Sequence, residues 1–202
     1  LTAEMGEKSK LLGEIGEKLF DGIANILGWH GASNISITCS KRSTHNKLTH
    51  GIDYLIVNNN PLVSDETEVG VISVKNVKSG KEKSKLSSYL KDVIETSECF
   101  ERSNDFQEYL EGFSSKRTKV KQVLFWTQND QGVEYNLDQK SSNINIDSIS
   151  NFDSISILDN RRISFLYSLH KFAKNKYTNP KSFEYYYPDT GLNESVRVLR
   201  LS

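Results

Sequence analysis

The segment that most restricts the fold is residues 69–77, Val-Gly-Val-Ile-Ser-Val-Lys-Asn-Val, which is apolar or small on both of its alternating faces until Lys75 interrupts it. A strand with one wet face alternates apolar with polar residues; one that is apolar on both must lie inside a sheet covered on each side. The chain therefore has to supply at least two helical covers, and it does. Leu12, Ile15, Leu19, Ile23, Ile26 and Leu27 recur at three- and four-residue steps, which predicts an amphipathic helix over residues 8–27 closed by Gly28. Leu86, Tyr89, Leu90, Val93, Ile94 and Phe100 form a second stripe, and Phe106, Tyr109, Leu110 and Phe113 a shorter one. A last helix is expected from Arg161, with Phe165, Leu166, Leu169, Phe172 and Ala173 on its buried side.

Further strands are expected at residues 35–38, 52–57, 122–127 and 154–158, with Asn58-Asn59-Asn60-Pro61 as the turn before residues 69–77. Residues 139–156 read as a loop and residues 183–201 as a terminal hairpin. With no internal repeat, the order implies an α/β fold, a central mixed β-sheet flanked by helices, in one domain spanning residues 1–202. Its core would occupy about residues 8–130 and a C-terminal extension about residues 131–202.

Composition excludes several classes. No stretch reaches the roughly 18 apolar residues of a membrane helix, and residues 1–30 lack the basic-then-apolar layout of a secretory leader, so a cytoplasmic protein without membrane contact is expected. Phosphate-loop, dinucleotide-binding and Gly-x-Ser-x-Gly patterns are absent. Cys39 and Cys99 lie 60 residues apart without a familiar zinc spacing, so neither a disulfide nor a structural metal is expected, only half-buried thiols. The 26 Lys and Arg balance 26 Asp and Glu, but unevenly along the chain. Lys75, Lys78, Lys81, Lys83, Lys85 and Lys91 face a single acid, Glu82, within their run; Lys116, Arg117, Lys119 and Lys121 form a second run, and Lys41, Arg42 and Lys47 a third.

Lys75 is the residue hardest to dismiss, because a lysine on a strand buried from both sides is costly unless paired or functional. Asp53 begins the preceding strand, 22 residues earlier. If the two strands are antiparallel neighbours, their ends can lie within a few ångströms. Carboxylates converging beside a lysine suit phosphodiester hydrolysis, in which a divalent metal generates hydroxide and offsets the charge developing on phosphorus. Plainer readings exist for each residue: Gly51-Ile52-Asp53 as turn chemistry, and Glu17 as a solvated acid paired with Lys10 or Lys18. His45 and His50 could contact phosphate or metal, but in a polar loop they read as surface residues. Tyr185, Tyr186 and Tyr187 read as core or an oligomer interface rather than a base-stacking platform.

Taken together, Gly13-x-x-Gly16-Glu17 on a helix ending Leu27-Gly28-Trp29, then Gly51-Ile52-Asp53, a hairpin and Ser73-Val74-Lys75, resemble the PD-(D/E)XK nuclease superfamily across roughly residues 11–127. The resemblance implies a restriction-endonuclease-like core in αβββαβ order and a Mg²⁺- or Mn²⁺-dependent DNA endonuclease, with bacterial restriction or anti-phage defence as the setting by analogy. It implies Asp53 and Glu17 as metal ligands with the Val74 carbonyl, and Lys75 as the group orienting the attacking water. Lys41, Arg42, Lys47, Lys78, Lys81, Lys83 and Lys85 would grip the DNA backbone. Relatives of this kind act as homo-oligomers or with a second protein subunit. One position departs from the pattern: Ser73 stands where the superfamily has an acid. Glu66 and Glu68 lie upstream without the spacing to replace it. The alternative implied by Ser73 is a catalytically inactive nuclease-fold subunit that binds DNA and assembles with an active protein partner.

Overall fold

A computed structural model describes residues 2–60, 63, 65–77, 82–113, 116–128 and 154–177. The first helix, α1 (Thr2–Leu27), stops where Gly28 turns left-handed at φ 69°. There Gly28 N–H donates to Asn25 O and Trp29 N–H to Ala24 O, 2.8 Å away, a paired closure of the last turn that a Cβ at residue 28 would disfavour. Strand β1 (Gly31–Thr38) follows, then one helical turn, α2 (Arg42–His45), and strands β2 (Thr49–Asn59) and β3 (Glu66–Val77). Helices α3 (Glu82–Phe100) and α4 (Asn104–Leu110) lead to β4 (Arg117–Gln128), and β5 (Ile155–Asp159) runs directly into α5 (Asn160–Lys176). Asp159 caps that last helix by accepting from Arg162 N–H at 2.9 Å.

The five strands form one mixed sheet in sequence order. β1, β2 and β3 pair antiparallel, whereas β3, β4 and β5 pair parallel. The parallel half needs a crossover, which α3 provides between β3 and β4. On one face α1 and α5 bring Phe20, Ile23, Ala24 and Leu166 onto Ile56, Ile72, Phe125 and Leu158. On the other, α3 lays Leu86, Leu90, Val93 and Ile94 on Leu124, Trp126, Ile155 and Ile157. β3 and β4 are thus covered on both sides, as the pattern at residues 69–77 requires. The fifth strand comes from residues 155–159, so the segment following residue 130 contributes to the sheet itself. Residues 139–153 and the expected terminal hairpin, with Tyr185, Tyr186 and Tyr187, lie outside the described residues.

Two close backbone approaches depend on glycine. A Cβ on Gly16 would stand 2.9 Å from Asn76 Cβ and 3.3 Å from Val74 Cγ1, so this glycine lets α1 settle directly on β3. A Cβ on Gly31 would stand only 1.9 Å from the Leu55 carbonyl oxygen, a backbone atom fixed by the β1–β2 ladder. Gly31→Ala must open that end of the ladder, and we expect it to lower unfolding free energy by roughly 1–3 kcal/mol, read from urea denaturation midpoints.

Candidate functional site

β2 pairs with β3 only from Asn59 back to Tyr54, where Tyr54 faces Ile72. Beyond that point residues 49–52 pair only with β1, Asp53 pairs with neither neighbour, and residues 73–77 pair only with β4, so the sheet opens into a fork. The cause is local to Asp53. The β1–β2 register runs without slippage on either side of Asn34 and Asp53 but skips that pair, and Asn34 is left-handed at φ 56°. The alternation of faces breaks at the same place: Ile52 and Leu55 share one hydrophobic cluster while Tyr54 and Ile56 belong to the opposite one. A kinked β2 thus turns the Asp53 carboxylate across the open fork toward β3.

There Asp53 Oδ2 accepts from Val74 N–H at 2.6 Å and from the Ser73 hydroxyl at 3.2 Å. The Lys75 ammonium lies 3.6 Å from the same oxygen, and both side chains are about a quarter exposed, 25% and 29%, enough for water and a ligand to reach them. Lys75 also stands over the Tyr89 ring of α3, 5.8 Å from its centroid. Every one of these contacts falls on Oδ2, so Oδ1 is left for another ligand among the described residues. The adjacency of Asp53, Ser73, Val74 and Lys75 follows from the strand pairing expected from the sequence.

Glu17 follows Gly16, the residue seated on Val74 and Asn76, and is partly buried. Its charge, like those of Asp21 and Asp53, acts on the Tyr54 phenol. That group is held well above its ordinary pKa, first by burial, then by its 2.5 Å hydrogen bond to Asp21 Oδ1 and by these three carboxylates. α1 therefore adds acidic groups beside the fork. Tyr54, Asp21 and Tyr89 were not singled out in the sequence, since nothing local marks an aromatic residue at a strand kink.

The basic residues are distributed differently from the expectation of a free cationic rim. Lys41 is ion-paired with Glu98, and Lys47 with Asp92 at 2.5 Å and Glu95 at 3.3 Å. Burial would raise the Glu98 carboxyl, but Lys41, Arg102 and His45 hold it below the usual glutamate value. From the second basic run, Lys116 meets Asp65 and Lys121 meets Glu68. That contact, with hydrogen bonds from Asn60 to both Glu66 and Glu68, occupies the two upstream acids away from the fork. Arg42 and Lys85 are exposed; Lys78 and Lys81 lie outside the described residues, and of Lys83 only the backbone, in α3, is described.

Cys39, His45, His50 and Cys99 differ most from expectation. The thiols are free but fully buried rather than half-buried, and the two histidines are buried rather than at the surface. All four converge, with one potential ligand atom from each lying within 4.8 Å of the others. The spacing Cys39-x5-His45-x4-His50, completed by Cys99 from the end of α3, is not a familiar metal pattern, so only the three-dimensional structure joins them.

A family model described as the GAPS4 protein PD-(D/E)XK nuclease domain matches residues 5–162. No curated protein and no solved structure gives a significant match.

Proposed function

The chain belongs to the GAPS4 protein PD-(D/E)XK nuclease domain family, and from that membership and the Asp53–Lys75 fork we propose that it is a metal-dependent endonuclease hydrolysing DNA phosphodiester bonds. The observation carrying the reading is a carboxylate and an ammonium group held 3.6 Å apart, partly exposed, where two strands of a buried sheet diverge. The donor chemistry suits a hard divalent cation, which takes oxygen ligands and keeps several waters. The Asp53 carboxylate, the Val74 carbonyl and Glu17 would hold Mg²⁺ or Mn²⁺; the Ser73 hydroxyl contributes only a neutral oxygen. When bound, the ion would acidify a water and offset charge on the scissile phosphate.

The chain's own groups do the remaining work. Lys75 donates a hydrogen bond to the attacking water and stabilises the hydroxide formed as that water gives its proton to solvent, while the Tyr89 ring faces the ammonium. Asp53 is oriented by Val74 N–H and the Ser73 hydroxyl, so its uncommitted oxygen needs no reorganisation on binding. Arg42 and Lys85 are the exposed cations for the DNA backbone, joined by Lys78, Lys81 and Lys83. Lys41 and Lys47 are engaged by acids of α3, so phosphate must compete with those acids for them. A defence role in a cytoplasmic setting, and work as a homo-oligomer or with a second subunit, remain part of the proposal.

Ser73 makes this a site of weak metal affinity. Ser73→Glu places a second carboxylate beside Asp53, and plasmid cleavage should then saturate at a lower Mg²⁺ or Mn²⁺ concentration and rise by about tenfold or more. A second reading has a specific observation in its favour: Asp53 Oδ2 is already satisfied by three internal donors, and the neighbouring acid is absent. On that reading the domain binds DNA and leaves cleavage to a partner. Inert wild-type and Ser73→Glu proteins that are both folded, and that bind DNA with steep salt dependence, would select it.

A further inference from the structure

We infer that Cys39, His45, His50 and Cys99 form a closed structural zinc site, separate from the Asp53 fork. Four of the six distances between the ligand atoms are those of a tetrahedral zinc site, and all six lie within 4.8 Å. Cys39 Sγ and Cys99 Sγ are 3.7 Å apart, well beyond a disulfide bond; His45 Nδ1 is 3.5 Å from Cys39 Sγ and 3.4 Å from Cys99 Sγ; His45 Nδ1 and His50 Nε2 are 3.3 Å apart. A Zn²⁺ ion with thiolate bonds of about 2.3 Å and imidazole bonds of about 2.0–2.1 Å has tetrahedral edges of about 3.8 Å between sulfurs, about 3.6 Å between sulfur and nitrogen and about 3.3 Å between nitrogens. All four measured edges agree with these to within about 0.2 Å. Soft sulfur with imidazole selects zinc over magnesium.

The groups around the cluster are those that ligands of a metal require. His45 Nε2 lies 3.3 Å from Glu98 Oε2, and His50 Nδ1 lies 3.3 Å from Thr96 Oγ1. The Glu98 carboxylate can only accept, so His45 carries a proton on Nε2 and directs Nδ1 toward the cluster; with Thr96 Oγ1 accepting from His50 Nδ1, His50 Nε2 would be directed inward in the same way, the arrangement by which outer partners fix a ligating histidine. The Ser40 hydroxyl donates to Cys99 Sγ at 3.4 Å, and the Lys41 backbone N–H donates to Cys39 Sγ, both suited to a thiolate. The exposures of Cys39, His45, His50 and Cys99, 2%, 8%, 3% and 0%, leave no open position for a water or substrate, so the site is structural rather than catalytic.

Its location gives it a task. Cys39 follows β1, His45 lies in α2, His50 lies near the start of β2, and Cys99 near the end of α3. One ion would tie the arm of the fork that pairs with β1 alone, three residues before Asp53, to the helix that packs beneath it.

The test uses the intact chain purified without chelator under reducing conditions. Elemental analysis should find one Zn²⁺ per chain; after removal by a strong chelator, Co²⁺ should restore one equivalent with the visible bands of tetrahedral cobalt and a thiolate charge-transfer band in the near ultraviolet. The melting temperature should fall on chelation and recover with Zn²⁺. Glu98→Gln keeps all four ligands and is expected to weaken zinc binding about ten- to a hundredfold in a competition titration. Sub-stoichiometric zinc together with no cobalt–thiolate spectrum, or a Cys39–Cys99 disulfide in place of the metal, would overturn the assignment.

Discussion

Lys75→Met should leave the domain folded and remove at least about a hundredfold of its DNA cleavage rate. The two halves of that expectation have separate physical causes. Methionine retains an unbranched side chain of similar length at a strand position whose register partner is Trp126 of β4, and gives up only the ammonium's contacts with Asp53 and the Tyr89 ring, so packing is largely conserved. The lost ion pair with Asp53 is a quarter exposed on each side, and such pairs contribute about 0–1 kcal/mol. Stability should therefore change by less than about 1 kcal/mol. The ammonium, in contrast, is, among the described residues, the positive group that meets Asp53 at the fork, placed to donate to an attacking water or to the charge developing on phosphate. Removing a preorganised donor of this kind ordinarily costs about 10²–10³ in rate. Single-turnover cleavage with DNA in excess metal, compared with a urea melt of the same preparation, separates the two effects. A Lys75→Met protein that cleaves at the wild-type rate would assign Lys75 to the sheet and not to the reaction.

Much of the architecture was legible because it rests on periodicity. A strand apolar on both faces can only be central, and Leu12 through Leu27 at helical steps can only cover it, so the mixed sheet between α1 and α3 follows from short-range pattern. The position of Asp53 beside Lys75 follows from one further assumption, antiparallel pairing of β2 with β3, which the register from Tyr54 to Asn59 satisfies, with Asn58 and Asn59, expected in the turn, laddered within β2 instead. What the pattern does not carry is the kink. No local signal marks Asn34 as left-handed or Asp53 as the residue that skips its partner, yet that distortion opens the fork. Charge was the least transferable guide. Runs of lysine looked like a free cationic surface, but Lys41, Lys47, Lys116 and Lys121 each find an acid distant in sequence. The Cys/His cluster was missed for the same reason: Cys99 arrives from the far end of α3, 49 residues after His50, and no spacing rule spans that distance.

The central claim is that Asp53 serves the chemistry at the fork, and Asp53→Asn tests it with little disturbance of the fold. The asparagine oxygen can still accept from Val74 N–H and the Ser73 hydroxyl, the contacts that orient the carboxylate, so no buried donor is orphaned. Only the negative charge is lost, together with the anionic oxygen a divalent ion requires. The decisive measurement is cleavage of plasmid and linear duplex DNA across a Mg²⁺ and Mn²⁺ titration, for the wild-type chain and for Asp53→Asn. The account predicts wild-type cleavage that needs the added metal and falls by at least about a hundredfold in the variant at every metal concentration. Metal-dependent cleavage that is equal in the two proteins would contradict it and move the active centre elsewhere in the chain.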